Sequence, residues 1–548
     1  MSLSRRSFLY YTGPLAVLPM LPRECSRLTD QYVNDGSPFL HGVASGDPLE
    51  DRVVLWTRVT GDAQAPQSIV VAWIVAKDAT FSKIVASGAA ATDESFDFTV
   101  KVDADGLVAG TTYYYRFRAL GHDSPIGRTR AAPKGNPERA RLAVVSCSNY
   151  PYGYFNAYAA IARRADLDAV LHLGDYLYEY GNGTFGDGMT LGRVPSPNHE
   201  IVSLSDYRAR HAQYKTDTDL QEAHRQHSFI TVWDDHEVTN DAWRTGAENH
   251  QPDEGDFQER KAAAIQAYFE WMPIRAEQGD GTGRVYRSFN YGKLFDLIML
   301  DTRLVGRDQQ AADPCDAAHL ADPTRQLLGE PQEAWFFRQL ERSQRHGTLW
   351  RLIGQQVMFG QLVNVLAPGG CIFNPDQWDG YAAARARVLA KLSDGSIDNV
   401  IVLTGDIHSS WGNDLTSSPF DPATYDPASG VGSLAVEFVT PAVTSPGIDD
   451  ATQAAQLGGA IRATHPHVKY VDLFHRGYAL LDITRERVQC EWYHVATIQE
   501  RRADESLANS LLVAAGTNHL VAAPTATVPR ADAPMLAPLL ASASPREA

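Results

Sequence analysis

Four segments of the chain set ligand-capable side chains directly behind short apolar runs. Cys147 follows residues 142–145, Asp175 and Tyr178 follow residues 169–173, Asp234, Asp235 and His236 follow residues 229–232, and Asp406 with His408 follows residues 400–403. A thiolate, a phenolate and a carboxylate around one ion are strong negative donors, and the phenolate suits a hard trivalent cation such as Fe³⁺. Cys147, Asp175, Tyr178 and His408 form that set. Asp235, Asn240 and Asp406 offer oxygen alone, which suits Ca²⁺ or Mg²⁺ better than Zn²⁺, an ion that recruits histidine or cysteine. Taken singly, Cys147 also reads as a buried core thiol, Asp175 as a helix cap, and the run Asp234 to Glu237 as a solvated loop. In an extended segment the side chains of Asp406 and His408, two residues apart, point to the same side.

The elements that would position these groups are legible in the apolar pattern. The runs 142–145, 169–173, 229–232, 297–300, 352–353 and 400–403 fit buried strands covered on both faces, and residues 155–164 and 259–271 read as helices. Open α/β sheets bind ligands in the crevice outside the carboxyl ends of their strands, so four separated segments are expected to converge there. Ahead of this α/β region (139–500), residues 38–135 show short β segments at 52–59, 68–75, 96–102 and 111–120, which predict a small antiparallel sandwich. Leu107, Gly110 and Tyr113 resemble the tyrosine corner of immunoglobulin-like or fibronectin-like domains. Residues 133–137 read as a linker. Residues 520–548, rich in alanine and proline, are expected to form a disordered tail.

Composition narrows the function. The chain has 548 residues, with 66 acidic against 49 basic and a formal charge of -17, which would repel a phosphodiester backbone, so no nucleic-acid-binding surface is expected. No uninterrupted apolar stretch is long enough for a stable membrane span. Ser4-Arg5-Arg6-Ser7-Phe8-Leu9, followed by a moderately apolar segment, reads as a twin-arginine export signal within residues 1–30, against the alternative of a basic arm on a cytosolic protein. That address implies a periplasmic or extracellular protein. In such a compartment Cys315 and Cys371 are a possible loop disulfide, and Cys490 reads as a buried small hydrophobe.

The motifs as a set resemble one family. Ser146-Cys147-Ser148, Gly174-Asp175-Tyr176-Leu177-Tyr178-Glu179, Trp233-Asp234-Asp235-His236-Glu237 with Asn240, Leu300-Asp301-Thr302-Arg303, and Thr404-Gly405-Asp406-Ile407-His408 are similar to the motif set of the PhoD-like alkaline phosphatases. Gly42 to Pro48, Trp56-Thr57-Arg58, Pro466 to Tyr470 and Arg476-Gly477-Tyr478 extend the resemblance over roughly residues 38 to 500. It implies a metallophosphoesterase β-sandwich core flanked by helices, an α/β (α+β) fold related to the purple acid phosphatases. It also implies Fe³⁺ with one or two Ca²⁺, Asp175 bridging the two metals, and Asp234 serving a second calcium. Where purple acid phosphatases place a histidine in their last motif, this chain has Asp406, so their softer second ion does not carry over.

The expected reaction is hydrolysis of phosphomonoesters and of phosphodiesters, with a small phosphate ester as substrate. Two cations about 3.5 to 4 Å apart can bind a phosphoryl group, acidify a water and stabilise both attacking and leaving oxygens. His236 is the candidate to bind the phosphate or protonate the leaving oxygen, with a merely orienting role as its alternative. Arg303 is the candidate to clamp a phosphate oxygen, or else to pair with a carboxylate such as Asp301. A phospholipase D-like or teichoic-acid phosphodiesterase on the same site is the nearest alternative, because substrate choice depends on loops 180–198 and 308–329. More distant alternatives are a redox enzyme and a non-catalytic calcium-binding surface protein. Oligomeric state is not encoded in any motif.

Overall fold

The computed structural model describes residues 37–61, 65–275, 283–364, 370–395 and 397–538. The expected export signal lies outside them.

The apolar runs do become buried strands, and they fall into two facing sheets. Arg139–Val145, Ala169–His172 and Ser228–Thr231 run parallel to one another in a ten-stranded sheet. Phe295–Met299, Trp350–Gly354, Val400–Thr404 and Ala435–Val439 run parallel in a seven-stranded sheet. One continuous core joins their inner faces: Leu142, Val144 and Leu171 belong to the same apolar cluster as Leu297, Leu352, Ile401 and Phe438. Side chains on alternate positions turn outward instead. Ile298, Ile353, Val400 and Val402 meet Phe336 and Leu340 of the helix Glu330–Arg345, and Val388 and Leu389 of the helix Ala382–Ser393. Strands packed on both faces read as unbroken apolar runs for this reason. The fold is thus an α/β sandwich with helices on its outer faces.

The expected helices form at Asn156–Ala162 and Phe257–Trp271. The amino-terminal strands form at Val53–Arg58, Ser68–Ala76, Thr99–Ala104 and Thr112–Ala119. Tyr113 Oη accepts the Val108 N–H at 2.9 Å, the bond a tyrosine corner makes. A strand at Ile84–Asp93 carries no sequence signal, being rich in alanine and only partly buried. The amino-terminal strands are joined closely to the α/β region. Val43–Gly46 pairs in parallel with Ser228–Thr231, so Val53–Arg58 and Thr99–Ala104 extend the ten-stranded sheet across the expected linker. Arg287 clasps Asp47 at 2.6 and 2.9 Å across the same junction.

The carboxyl end departs from expectation. In place of a disordered tail, Leu520–Ala522 adds an edge strand to Glu505–Ala514, and the chain through residue 538 docks along the molecule. Arg225, Gln226 and Tyr114 donate to the carbonyls of Pro538, Ala537 and Met535 at 2.6, 3.0 and 2.6 Å, and Ala537 is buried. Backbone hydrogen bonding to buried side chains needs no apolar periodicity, so an alanine- and proline-rich composition does not reveal it. Residues 539–548 lie outside the described part. Cys315 and Cys371 are joined as a disulfide, and Cys490 is a buried free thiol.

Candidate metal centre

Four of the candidate ligands leave the carboxyl ends of strands in tight turns. Cys147, Asp175, Asp406 and His408 have φ of 62°, 56°, 64° and 54°, a region unfavourable to residues with a side chain. Such conformations persist where the surroundings fix them, and they concentrate at functional sites. Here the loops fix one another. Cys147 N–H donates to the Gly174 carbonyl at 3.2 Å and Ser148 N–H to that of Asp175 at 2.8 Å. Gly174, at φ 104°, leaves no room for a side chain, since a Cβ there would lie 2.4 Å from Asp234. Buried Glu237 ties the second and third loops, accepting from the backbone N–H of Asp175 at 3.0 Å, Tyr176 at 2.7 Å and Asp234 at 2.9 Å.

These turns gather the side chains into one pocket. Donor atoms of Cys147, Asp175 and His408 lie within 4.8 Å of one another, as do those of Asp175, Asp235 and His236, and those of Asp234, Asp235 and Asp406. Asp175 is common to the first two groups. Tyr178 Oη donates to Asp175 Oδ2 at 2.8 Å, sits 3.1 Å from His408 Nε2, and accepts from Ser445 Oγ at 2.6 Å. Asn240 stands on the following loop; its N–H bonds Glu179 at 2.7 Å and its side-chain amide bonds Glu248 at 3.1 Å.

The donor set fits cations. Asp175 Oδ1 and Asp234 Oδ2 are buried with no hydrogen-bond partner among the described residues, an expensive state for an ionised carboxylate. Burial pushes the Cys147 thiol and the Tyr178 phenol well up, and nearby carboxylates push further in the same direction. Burial likewise raises Asp234 well above the ordinary carboxylate range and Asp406 to about 6, with Arg303 opposing the shift in both. A bound cation supplies the charge that reverses each of these shifts.

Arg303 takes the carboxylate-pairing alternative, with partners other than Asp301. It is fully buried, and its guanidinium bonds carboxylates: Nη1 donates to both oxygens of Asp376 at 2.8 Å, Nη2 to Asp406 at 2.7 Å, and Nε to Asp234. It does not face outward to clamp a phosphate. Nor does its side chain pair with Asp301, whose carboxylate instead accepts the backbone N–H of Arg303 and Leu304, each at 2.8 Å. His236 is held by Glu179, with Nδ1 2.7 Å from Oε2. Burial alone would lower its pKa, but the Glu179, Asp235 and Asp175 carboxylates raise it well above the ordinary value.

Two residues in this network had no assigned role from sequence. Glu179 belongs to a recognised motif, and its spacing from Asp175 was the available signal. Asp376 gave none. It lies in a loop behind no strand, and it accepts from Arg303, from Arg307, and from Gln310 at 2.7 Å.

Residues 142–492 match the family described as PhoD-like phosphatase, and residues 25–133 match its amino-terminal domain. The chain belongs to the PhoD-like phosphatase family. It is 37% identical over 514 residues to alkaline phosphatase D of Bacillus subtilis (strain 168), covering 89% of this chain and 84% of the relative. A solved structure described as that of PhoD superposes with a TM-score of 0.81 at 34% identity, over 91% of this chain and 94% of that one. This PhoD-like chain is therefore a phosphoester hydrolase, and its fold is that of its family. Among the described residues, no helix is long and apolar enough to cross a membrane.

Proposed function

We propose that the chain is an exported, metal-dependent phosphoesterase that hydrolyses phosphomonoesters and phosphodiesters at the pocket around Asp175. The carrying observation is that Asp175 stands in two donor groups at once, the arrangement a bridging ligand requires. In this reading Cys147, Asp175, Tyr178 and His408 hold Fe³⁺, while Asp175, Asp235, Asn240 and Asp406 hold Ca²⁺, with Asp234 available to a second calcium. When bound, such a pair lowers the pKa of a water and offsets the negative charge that develops on a phosphoryl group under attack.

The chain's own groups do the rest. Glu179 accepts from Nδ1 of His236 and its charge favours the imidazolium, so that Nε2–H is left to meet the substrate and give its proton to the leaving oxygen. Ser445 fixes the Tyr178 ring by its 2.6 Å bond to Oη. Arg303, itself gripped by Asp376, bonds Asp234 and Asp406 at once and orients both carboxylates.

Assays of the metal-replete protein with p-nitrophenyl phosphate, bis(p-nitrophenyl) phosphate and a phosphatidylcholine test the reading. Turnover of the first two supports it, and turnover of the lipid alone would transfer the site to the phospholipase D-like alternative. Export rests on Arg5 and Arg6. Retention of the Arg5→Lys, Arg6→Lys double variant inside the cell supports the twin-arginine route, and unchanged export would exclude it.

A further inference from the structure

Phe185 lies on the glycine-rich loop that follows Glu179, and its half-buried ring reaches the pocket. The ring centroid is 5.5 Å from that of Tyr178 at an interplanar angle of 28°, and 5.8 Å from that of His236 at 26°. Tyr180 and His408 lie 5.5 and 6.2 Å away. Phe185 thus packs on a candidate ligand and the candidate proton donor while remaining partly exposed.

The loop is built to hold that ring still. Asn149 Nδ2 donates to the Phe185 carbonyl at 2.6 Å, and Gly183 N–H donates to the Gly186 carbonyl at 2.8 Å, closing a turn around the residue. Asn182 accepts from Gly188 N–H and donates to Asp187, each at 2.8 Å, and Arg210 Nη1 holds the Tyr180 carbonyl at 3.0 Å. Farther along, Arg193 anchors the loop to Asp217 at 2.7 Å. An apolar ring fixed in a pocket of carboxylates and imidazoles contributes little to binding phosphate. It does meet whatever is attached to the leaving oxygen, because that oxygen must reach His236 and Phe185 packs against the same imidazole.

We propose that Phe185 is a specificity-determining residue that favours phosphate esters carrying a planar aromatic leaving group. Resting on the phosphoesterase reading above, the proposal names the substrate class for that site. Offset aromatic stacking adds to simple area burial, and a ring already held in place loses little freedom when it stacks.

The test compares kcat/KM for p-nitrophenyl phosphate and glycerol 2-phosphate in the metal-replete wild type, Phe185→Ala, Phe185→Leu and Phe185→Trp. The ratio of aryl to aliphatic kcat/KM should fall about tenfold in Phe185→Ala and Phe185→Leu, mainly through KM for the aryl ester, and return in Phe185→Trp. An equal loss on both substrates would make Phe185 structural and overturn the proposal, as would an unchanged ratio in a variant with normal metal content and melting temperature. Failure of the wild type on both esters would instead refute the phosphoesterase reading itself.

Discussion

Tyr178 donates its hydroxyl proton to Asp175 Oδ2 across 2.8 Å, which brings together two groups proposed to share a metal. The opposite oxygen, Asp175 Oδ1, is buried and unpartnered among the described residues. Asp175 thus has one oxygen engaged by Tyr178 and one left free, and it stands in both donor groups. Asp175→Asn removes the negative charge from both halves. It is expected to lose both metals and to cut activity on the order of a hundredfold or more, as read by elemental analysis beside the phosphatase assay. Loss of calcium with iron retained would mean that Asp175 does not bridge.

Arg303 neutralises a buried ring of carboxylates, and removing it leaves Asp234 and Asp406 without their guanidinium and Asp376 with Arg307 alone. Arg303→Ala should therefore lower stability by roughly 3 to 5 kcal/mol in denaturant titration. A variant of normal stability whose only defect is a raised KM would return Arg303 to a phosphate-clamping role.

His236 is proposed to protonate the leaving oxygen, a service that an alkoxide needs and p-nitrophenolate does not. His236→Ala should lower kcat for glycerol 2-phosphate by about 10² to 10⁴ and for p-nitrophenyl phosphate by under about tenfold. Equal losses on both esters would show that His236 orients the phosphate and carries no proton.

The Cys315–Cys371 bond closes a loop across a sequence separation of 56. Chain-entropy arguments for a loop of that length give about 4 kcal/mol, so Cys315→Ser should lose a stability of that order under non-reducing conditions. Unchanged unfolding would mean that the loop is already ordered in the unfolded ensemble.

How much of this was legible depends on where each signal resides. The runs around Leu142, Leu171, Ile230 and Val402 announced strands because burial on both faces demands continuous apolar sequence, and the residues just past them announced the pocket. The strand Ile84–Asp93 was silent because an exposed edge imposes no apolar pattern. Asp376 was silent because it reaches Arg303 from a loop, through a tertiary contact 73 residues distant. The fate of Arg303 was half legible: its strand-end position was clear, but the carboxylates that consume its donors come from three other segments. The docked tail was not legible because its backbone carbonyls, rather than its side chains, receive the bonds from Tyr114, Arg225 and Gln226.

The proposed centre has Cys147, Asp175, Tyr178 and His408 holding a ferric ion beside an oxygen-ligated calcium. The most direct test is elemental analysis of wild type and Tyr178→Phe purified without chelator, together with their visible spectra. About one equivalent of iron with calcium is expected in the wild type, with a phenolate-to-iron absorption band that disappears in Tyr178→Phe. Zinc or manganese without iron, and no such band, would contradict this assignment and leave Cys147 and Tyr178 as bystanders to a different binuclear centre.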